Sequence, residues 1–181
     1  ALDILASYPN EYWKYPVVIY YLKHRSSEQF ERHFTYFLRK LITELLTRYL
    51  ISPTINAVKS DILKLNVCIV SSAIPEFNFK DMDAALQPAI IKTPNRNVVR
   101  MMLKLLAYQD EEQHALLPAE WEIEHIFPQK WQNNYFVDMS DDVVKEKIDH
   151  IGNKIPFEKR LNIVAGNGYF NKKKKHYEYN V

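Results

Sequence analysis

Glycine is scarce in this chain of 181 residues, which contains only Gly152, Gly166 and Gly168. All three lie in the last thirty residues, so the first 150 have none. Because glycine disfavours helix interiors and marks turns, its absence suits long helices joined at corners marked by proline. The sequence therefore predicts a helical first part and a different organisation near the C-terminus.

Cysteine is scarcer still, because Cys68 is the one cysteine of the chain. A single cysteine excludes both an internal disulfide and a zinc site of clustered cysteines. No stretch approaches the ~18 uncharged apolar residues of a membrane span. The sequence opens with neither an initiator methionine nor a signal-peptide layout. We therefore expect a cytoplasmic segment of a longer protein, with no membrane partner.

Charge of one sign is also lacking overall, because the formal net charge is only +2. The basic residues are nevertheless concentrated, with seven Lys or Arg and one Glu between residues 152 and 177. Such a segment favours a polyanionic partner, although a solvated helix face explains the same composition equally well.

Apolar residues spaced by three or four predict the helices of the first part. We expect helices at 10–23 and 28–49 (capped by Ser26 or Ser27), one opening at Ser52-Pro53, a short one at 81–91 and one from Pro94 through Leu106. A polar loop at 110–118 suggests a domain boundary, which divides the chain into a helical region, 1–115, and a small α+β domain, 116–181. The predicted fold class is mainly α with a small α+β part, the helical region packing on the smaller domain.

The smaller domain contains the stretch Trp-Glu-Ile-Glu-His-Ile-Phe-Pro at 121–128, of which residues 121–127 are predicted to form a short strand. This strand carries the pair Glu124-His125, and Pro128 ends regular pairing soon afterwards. A loop at 131–139, a helix from Ser140 to about His150 and a second strand at 153–157 are expected next. A helix follows Glu158, with Gly166-Asn167-Gly168 as a candidate break.

These residue types suit phosphodiester hydrolysis with one metal ion. A neutral imidazole can take a proton from water near neutral pH, which makes His125 a candidate general base. Hard divalent ions prefer oxygen ligands, so Glu124 with Asn162 or Asn167 could hold one Mg²⁺ or Mn²⁺. Asn162 is preferred because it falls near the start of the last helix. Asn153 is expected to make hydrogen bonds across the loop that hold His125 in place.

Four pieces of the sequence together resemble a known family: 124–129, 151–154, 161–163 and 167–173. They are similar to the HNH-like nuclease domain (His-Me finger, ββα-metal) at the C-terminal end of GmrSD-type modification-dependent restriction enzymes and their anti-phage relatives. The resemblance covers about residues 120–178. Many HNH sites have Asp before the histidine, where this chain has Glu124.

The resemblance implies divalent-ion-dependent cleavage of foreign and often base-modified DNA. It assigns the general base to His125, the middle asparagine to Asn153 and the late asparagine to Asn162. In that family a ParB-like nucleotide-hydrolysing domain precedes the nuclease, so we expect such a domain elsewhere in the same protein.

DNA contacts are expected from Lys154 and from the run at 172–175. Four consecutive helical positions spread around the axis, so at most two of those four lysines can face one phosphate track. Lys172 and Lys173 are chosen because the resemblance covers them. Two rival functions remain open, namely a non-catalytic nucleic-acid-binding module and a protein-interaction domain that retains the fold.

Overall fold

A computed structural model describes residues 1–72, 75–77, 89–90, 95–131 and 138–178. The chain divides into two compact units, Ala1–Ile90 and Ile91–Val181. Both are mainly helical, and the second also holds a two-stranded antiparallel sheet. The predicted fold class, mainly α with a small α+β part, is confirmed. Among the described helices, none is long and apolar enough to cross a membrane.

The described residues of the first unit include four helices, α1 (Leu2–Leu5), α2 (Lys14–His24), α3 (Phe30–Ile51) and α4 (Asn56–Ser71). Their apolar stripes form one core, in which the rings of Tyr20 and Phe37 stack at a centroid distance of 4.1 Å. Arg48 and Asp61 form an ion pair of 3.1 Å between α3 and α4. Lys23 donates to three carbonyl oxygens at the C-terminal end of α4, where helices have unpaired acceptors.

Two predicted helix starts in the first unit are wrong. The third predicted helix does not open at Ser52-Pro53, because Ser52 is extended (φ −135°, ψ 92°) and α4 begins only at Asn56. A proline disfavours the helical region for the residue before it, which explains the extended Ser52. Neither Ser26 nor Ser27 caps α3, whose N-cap is Gln29 without a side-chain capping bond. The predicted helix at 81–91 lies almost wholly outside the described residues.

The second unit contains α5 (Arg96–Ala107), β1 (Trp121–His125), α6 (Asp141–Asp149), β2 (Lys154–Glu158), α7 (Lys159–Ala165) and α8 (Phe170–Tyr177). A single 3₁₀ turn, Ile151–Asn153, leads into β2. The order of β1, β2 and α7 follows the expected strand, strand, helix. The predicted helix break is present, since Gly166 ends α7 with φ +56°, a value that L side chains rarely adopt. The expected loop at 131–139 falls mostly outside the described residues.

Helix α5 belongs to the second unit, although the sequence boundary after residue 115 assigned it to the helical region. Val99 and Leu103 of α5 form a buried cluster with Trp121 at the start of β1. The guanidinium of Arg100 lies 3.8 Å from the centre of the Trp121 ring and donates to the Trp121 carbonyl oxygen at 2.9 Å. The two compact units divide between residues 90 and 91, so α5 and β1 lie in the same unit, and the domain boundary after residue 115 stays a prediction.

Candidate active site

The pair Glu124-His125 occupies the last two positions of β1. The antiparallel register pairs Glu124 with Ile155 and His125 with Lys154 at the start of β2. Pairing stops there, and Pro128 follows three residues after the histidine. The pair thus lies where the strand leaves the sheet, as the sequence predicts.

Asn153 fastens the loop that follows His125. Its side-chain oxygen accepts from the Phe127 amide at 2.7 Å, and its amide nitrogen donates to the carbonyl oxygens of Phe127 and Ile148, both at 3.1 Å. Its own carbonyl oxygen accepts from the amide of Ile126 at 3.0 Å. The expected hydrogen bonds across the loop are therefore present, and they hold the main chain beyond His125 rather than its ring.

Helix α7 brings Asn162 to the end of β1. Because β2 continues directly into α7, the first turns of this helix are fixed by the sheet. Asn162 is half-buried and lines a cavity of about 270 Å³ together with Glu124, His125, Pro128, Gln129 and Lys173. The structure therefore brings the candidate base, the acidic residue before it and the late asparagine to one cavity.

Asn167 has a different environment from Asn162, although both line the cavity. Its side-chain oxygen accepts from the Lys130 amide at 3.3 Å, and its amide nitrogen donates to the Lys130 carbonyl oxygen at 2.6 Å. These two bonds fasten the turn after α7 to the loop after β1. A metal ion would compete with the Lys130 amide for the Asn167 oxygen, and both asparagines stay predicted ligands.

Glu124 is buried and takes part in an ion pair that the sequence analysis does not predict. Its Oε1 atom accepts from Lys173 Nζ at 2.6 Å and from the Tyr177 hydroxyl at 2.8 Å. Burial, and then the hydrogen bond and charge of Glu124, raise the pKa of Tyr177 well above its usual range, so this phenol stays protonated as the donor. One carboxylate oxygen is thus committed to α8.

His125 is half-buried, and its ring nitrogen Nε2 lies 3.3 Å from Gln129 Nε2. A glutamine amide can donate to the bare ring nitrogen or, after an amide flip, accept from the protonated one. Burial is the largest cause that lowers the pKa of His125, and the positive charge of Lys154 is the next. Both effects favour the neutral imidazole, which is the form that a general base needs.

The candidate DNA-binding lysines do not share one environment. Lys172 is exposed on α8, and Lys154 donates to the Asp149 carbonyl oxygen. Lys173 is only 1% exposed, and its ammonium is bonded to Glu124. The structure does not support the expected DNA contact from Lys173, because its ammonium is already held by a buried carboxylate. Contacts from Lys172 and Lys154 stay predictions.

Glu124 and Asn162 bring oxygen atoms to the cavity, and oxygen is the ligand type that a hard divalent ion prefers. Within the described part of the chain, no group of three or more His, Cys, Asp or Glu side chains could hold a metal ion. Mg²⁺ needs few protein ligands, because it keeps several waters and binds substrate phosphates directly. Asn162 offers an amide oxygen, and Glu124 Oε2 has no bond to any described residue. An all-oxygen donor set suits Mg²⁺ or Mn²⁺ rather than structural zinc.

Two residues of the site, Tyr177 and Gln129, are not identified by the sequence analysis. Tyr177 follows Lys173 by four positions, so the two share a helix face. That spacing could have indicated a joint role, but only the structure shows that the face points at Glu124. Gln129 follows a strand end and a proline, where sequence spacing does not predict a contact with the histidine ring.

One family matches the chain by sequence comparison. The family model described as "GmrSD restriction endonucleases, C-terminal domain" covers residues 78–181, which is more than half of the chain. The match includes α5, both strands and all residues that line the cavity. No curated protein and no solved structure matches the chain.

Proposed function

Because the chain belongs to the family of C-terminal domains of GmrSD restriction endonucleases, we propose that it is an HNH-type endonuclease that hydrolyses DNA with one divalent metal ion. One observation carries the proposal: His125, Glu124 and Asn162 line the same cavity at the end of β1. A base beside oxygen ligands is the arrangement that metal-assisted phosphodiester hydrolysis requires.

The proposed roles follow from the contacts of each side chain. The neutral imidazole of His125 accepts a proton from water, whose oxygen then attacks phosphorus. Oxygens of Glu124 and Asn162 would hold Mg²⁺ or Mn²⁺, and the bound ion would offset negative charge on the phosphate and on the leaving oxygen. Asn153 keeps the loop after His125 closed through its three side-chain hydrogen bonds.

Exposed basic residues provide the surface for the DNA backbone. Lys172 is exposed on α8 and Lys154 lies at the start of β2, both in the same unit as the cavity. Lysines bind phosphates without reading base sequence, and this electrostatic contribution falls as salt rises. The proposed substrate is foreign DNA in the cytoplasm, including base-modified DNA, and the proposed partner is a ParB-like nucleotide-hydrolysing domain of the same protein.

A nicking assay on supercoiled plasmid tests this function. We expect open-circular product with Mg²⁺ or Mn²⁺ and none with EDTA. DNA binding that needs no metal, without any cleavage, would instead support a non-catalytic nucleic-acid-binding module. The exposed side chain of Lys172 on α8 is the observation that favours that second candidate.

A further inference from the structure

Lys173 joins α8 to the last two residues of β1. The side chains of Lys173 and Glu124 are 1% and 5% exposed, and Nζ lies 2.6 Å from Glu124 Oε1. The same ammonium donates to the carbonyl oxygen of His125 at 2.8 Å. One buried cation therefore holds both the acidic side chain and the main chain of the neighbouring histidine.

Tyr177 reinforces this contact from the next turn of α8. Its hydroxyl donates to the same Glu124 oxygen at 2.8 Å, and its ring packs edge-on against Phe157 of β2 at a centroid distance of 5.2 Å. Phe157 is itself 1% exposed. Because the Tyr177 ring is supported by the sheet, its hydroxyl has a fixed position relative to the strand.

Two donors on one oxygen restrict how the carboxylate can turn. With Oε1 held by Lys173 and Tyr177, the carboxyl plane of Glu124 is set, and the direction of Oε2 is set with it. Reactive groups have to be held within about 0.5 Å of the productive geometry, and such precision needs supporting hydrogen bonds behind them. The charge of Lys173 also balances a carboxylate that would otherwise be buried without a partner.

We propose that Lys173 and Tyr177 are positioning residues, which fix Glu124 and the main chain of His125 for phosphodiester hydrolysis and do not contact DNA. This inference rests on the proposed function, because positioning has a consequence only where Glu124 and His125 act on a substrate. It separates Lys173 from its neighbours in the basic run, which are exposed.

Three possible roles of Lys173 predict different measurements. A phosphate contact would lower DNA affinity on removal and reduce the salt slope of log K by roughly 0.9. A purely structural role would lower the melting temperature but leave kcat unchanged in the folded protein. A positioning role lowers kcat at saturating DNA and leaves the affinity and its salt slope as they were.

The experiment compares Lys173→Met and Tyr177→Phe with the control Lys174→Met, whose side chain is exposed on the same helix. For each variant, kcat, DNA affinity against salt and melting temperature are measured, with kinetics taken well below every melting temperature. We expect kcat to fall roughly 10- to 100-fold for Lys173→Met, as for other groups that orient a metal or catalytic residue. The fall for Tyr177→Phe is smaller, because Lys173 still holds the oxygen, and Lys174→Met keeps the kcat of the wild type.

An unchanged kcat in folded Lys173→Met would overturn the inference, and so would a salt slope reduced by about 0.9. If Lys173→Met fails to fold, Tyr177→Phe decides, because it removes only a hydroxyl; an unchanged kcat would then count against positioning. Wild-type protein that never cleaves DNA with Mg²⁺ or Mn²⁺ would contradict the proposed function, and this inference with it. An active wild type with unaffected variants contradicts the inference alone.

Discussion

The pKa of the half-buried His125 ring determines the pH dependence that we expect for DNA cleavage. Its pKa is lowered first by burial and then by the positive charge of Lys154, which faces it across the sheet. The base must be unprotonated, so activity is complete above the lowered pKa and is lost as pH falls through it. We expect the acid limb of the cleavage rate to lie below about 6.5, the ordinary value for histidine.

The variant Lys154→Met tests whether the positive charge of Lys154 helps to lower the pKa of His125. Removal of the positive charge relaxes the pKa of His125 upward, so the acid limb should move towards 6.5. Rates are measured across pH at saturating DNA, because Lys154 is also a predicted DNA contact. An acid limb that stays in place or moves downward would show that the charge of Lys154 does not act on the base.

For single residues, the sequence indicates which side chains could act in the candidate site better than it indicates which residues they contact. Glu124, His125 and Asn162 can be selected as candidate site residues because metal-assisted hydrolysis uses a base and oxygen ligands, which imidazole, carboxylate and amide groups supply. Lys173 cannot be assigned in this way, since four consecutive lysines look alike in sequence. Its burial depends on which face of α8 meets β1, and this long-range packing has no local signal.

At the scale of elements, the side chain of Asn153 fastens the chain immediately after β1, at Phe127, to the end of α6. Asn153 satisfies the Phe127 amide and two carbonyl oxygens, and the residue is half-buried. Asn153→Ala leaves these groups without partners, which typically costs about 1–3 kcal/mol. We expect the free energy of unfolding in urea to fall by that amount.

The matched control for the loop is Asn171→Ala on α8, where the side chain is exposed. Its free energy of unfolding should change by no more than ~0.5 kcal/mol. Equal losses in the two variants would mean that the bonds of Asn153 do not stabilise the loop.

The existence of the elements could be predicted more reliably than their ends. Apolar periodicity predicts α2, α3, α4 and α5, and the antiparallel strands follow from two short apolar segments. Helix starts were missed where a competing local effect decides, as when Pro53 forces Ser52 into an extended conformation. The helix expected from Ser140 is present as α6, with Ser140 at its N-cap, although the Ser140 side chain makes no capping bond.

For the whole molecule, the boundary of the second unit can be tested by comparing the melting of two fragments. The buried cluster of Val99, Leu103 and Trp121 requires α5, so a fragment of residues 116–181 lacks one wall of that core. We expect residues 91–181 to melt cooperatively by circular dichroism, and residues 116–181 to lack a cooperative transition. Cooperative melting of the shorter fragment would restore the boundary at the polar loop.

The central claim is that His125 is the general base of a metal-dependent nuclease, and one measurement tests it most directly. Plasmid nicking with Mg²⁺ is compared between wild type, His125→Ala and the control His114→Ala, whose side chain is exposed outside the cavity. The account predicts a loss of roughly 10²–10⁴-fold in rate for His125→Ala alone, with folding and DNA binding retained. Folded His125→Ala protein that nicks DNA at the wild-type rate would contradict it.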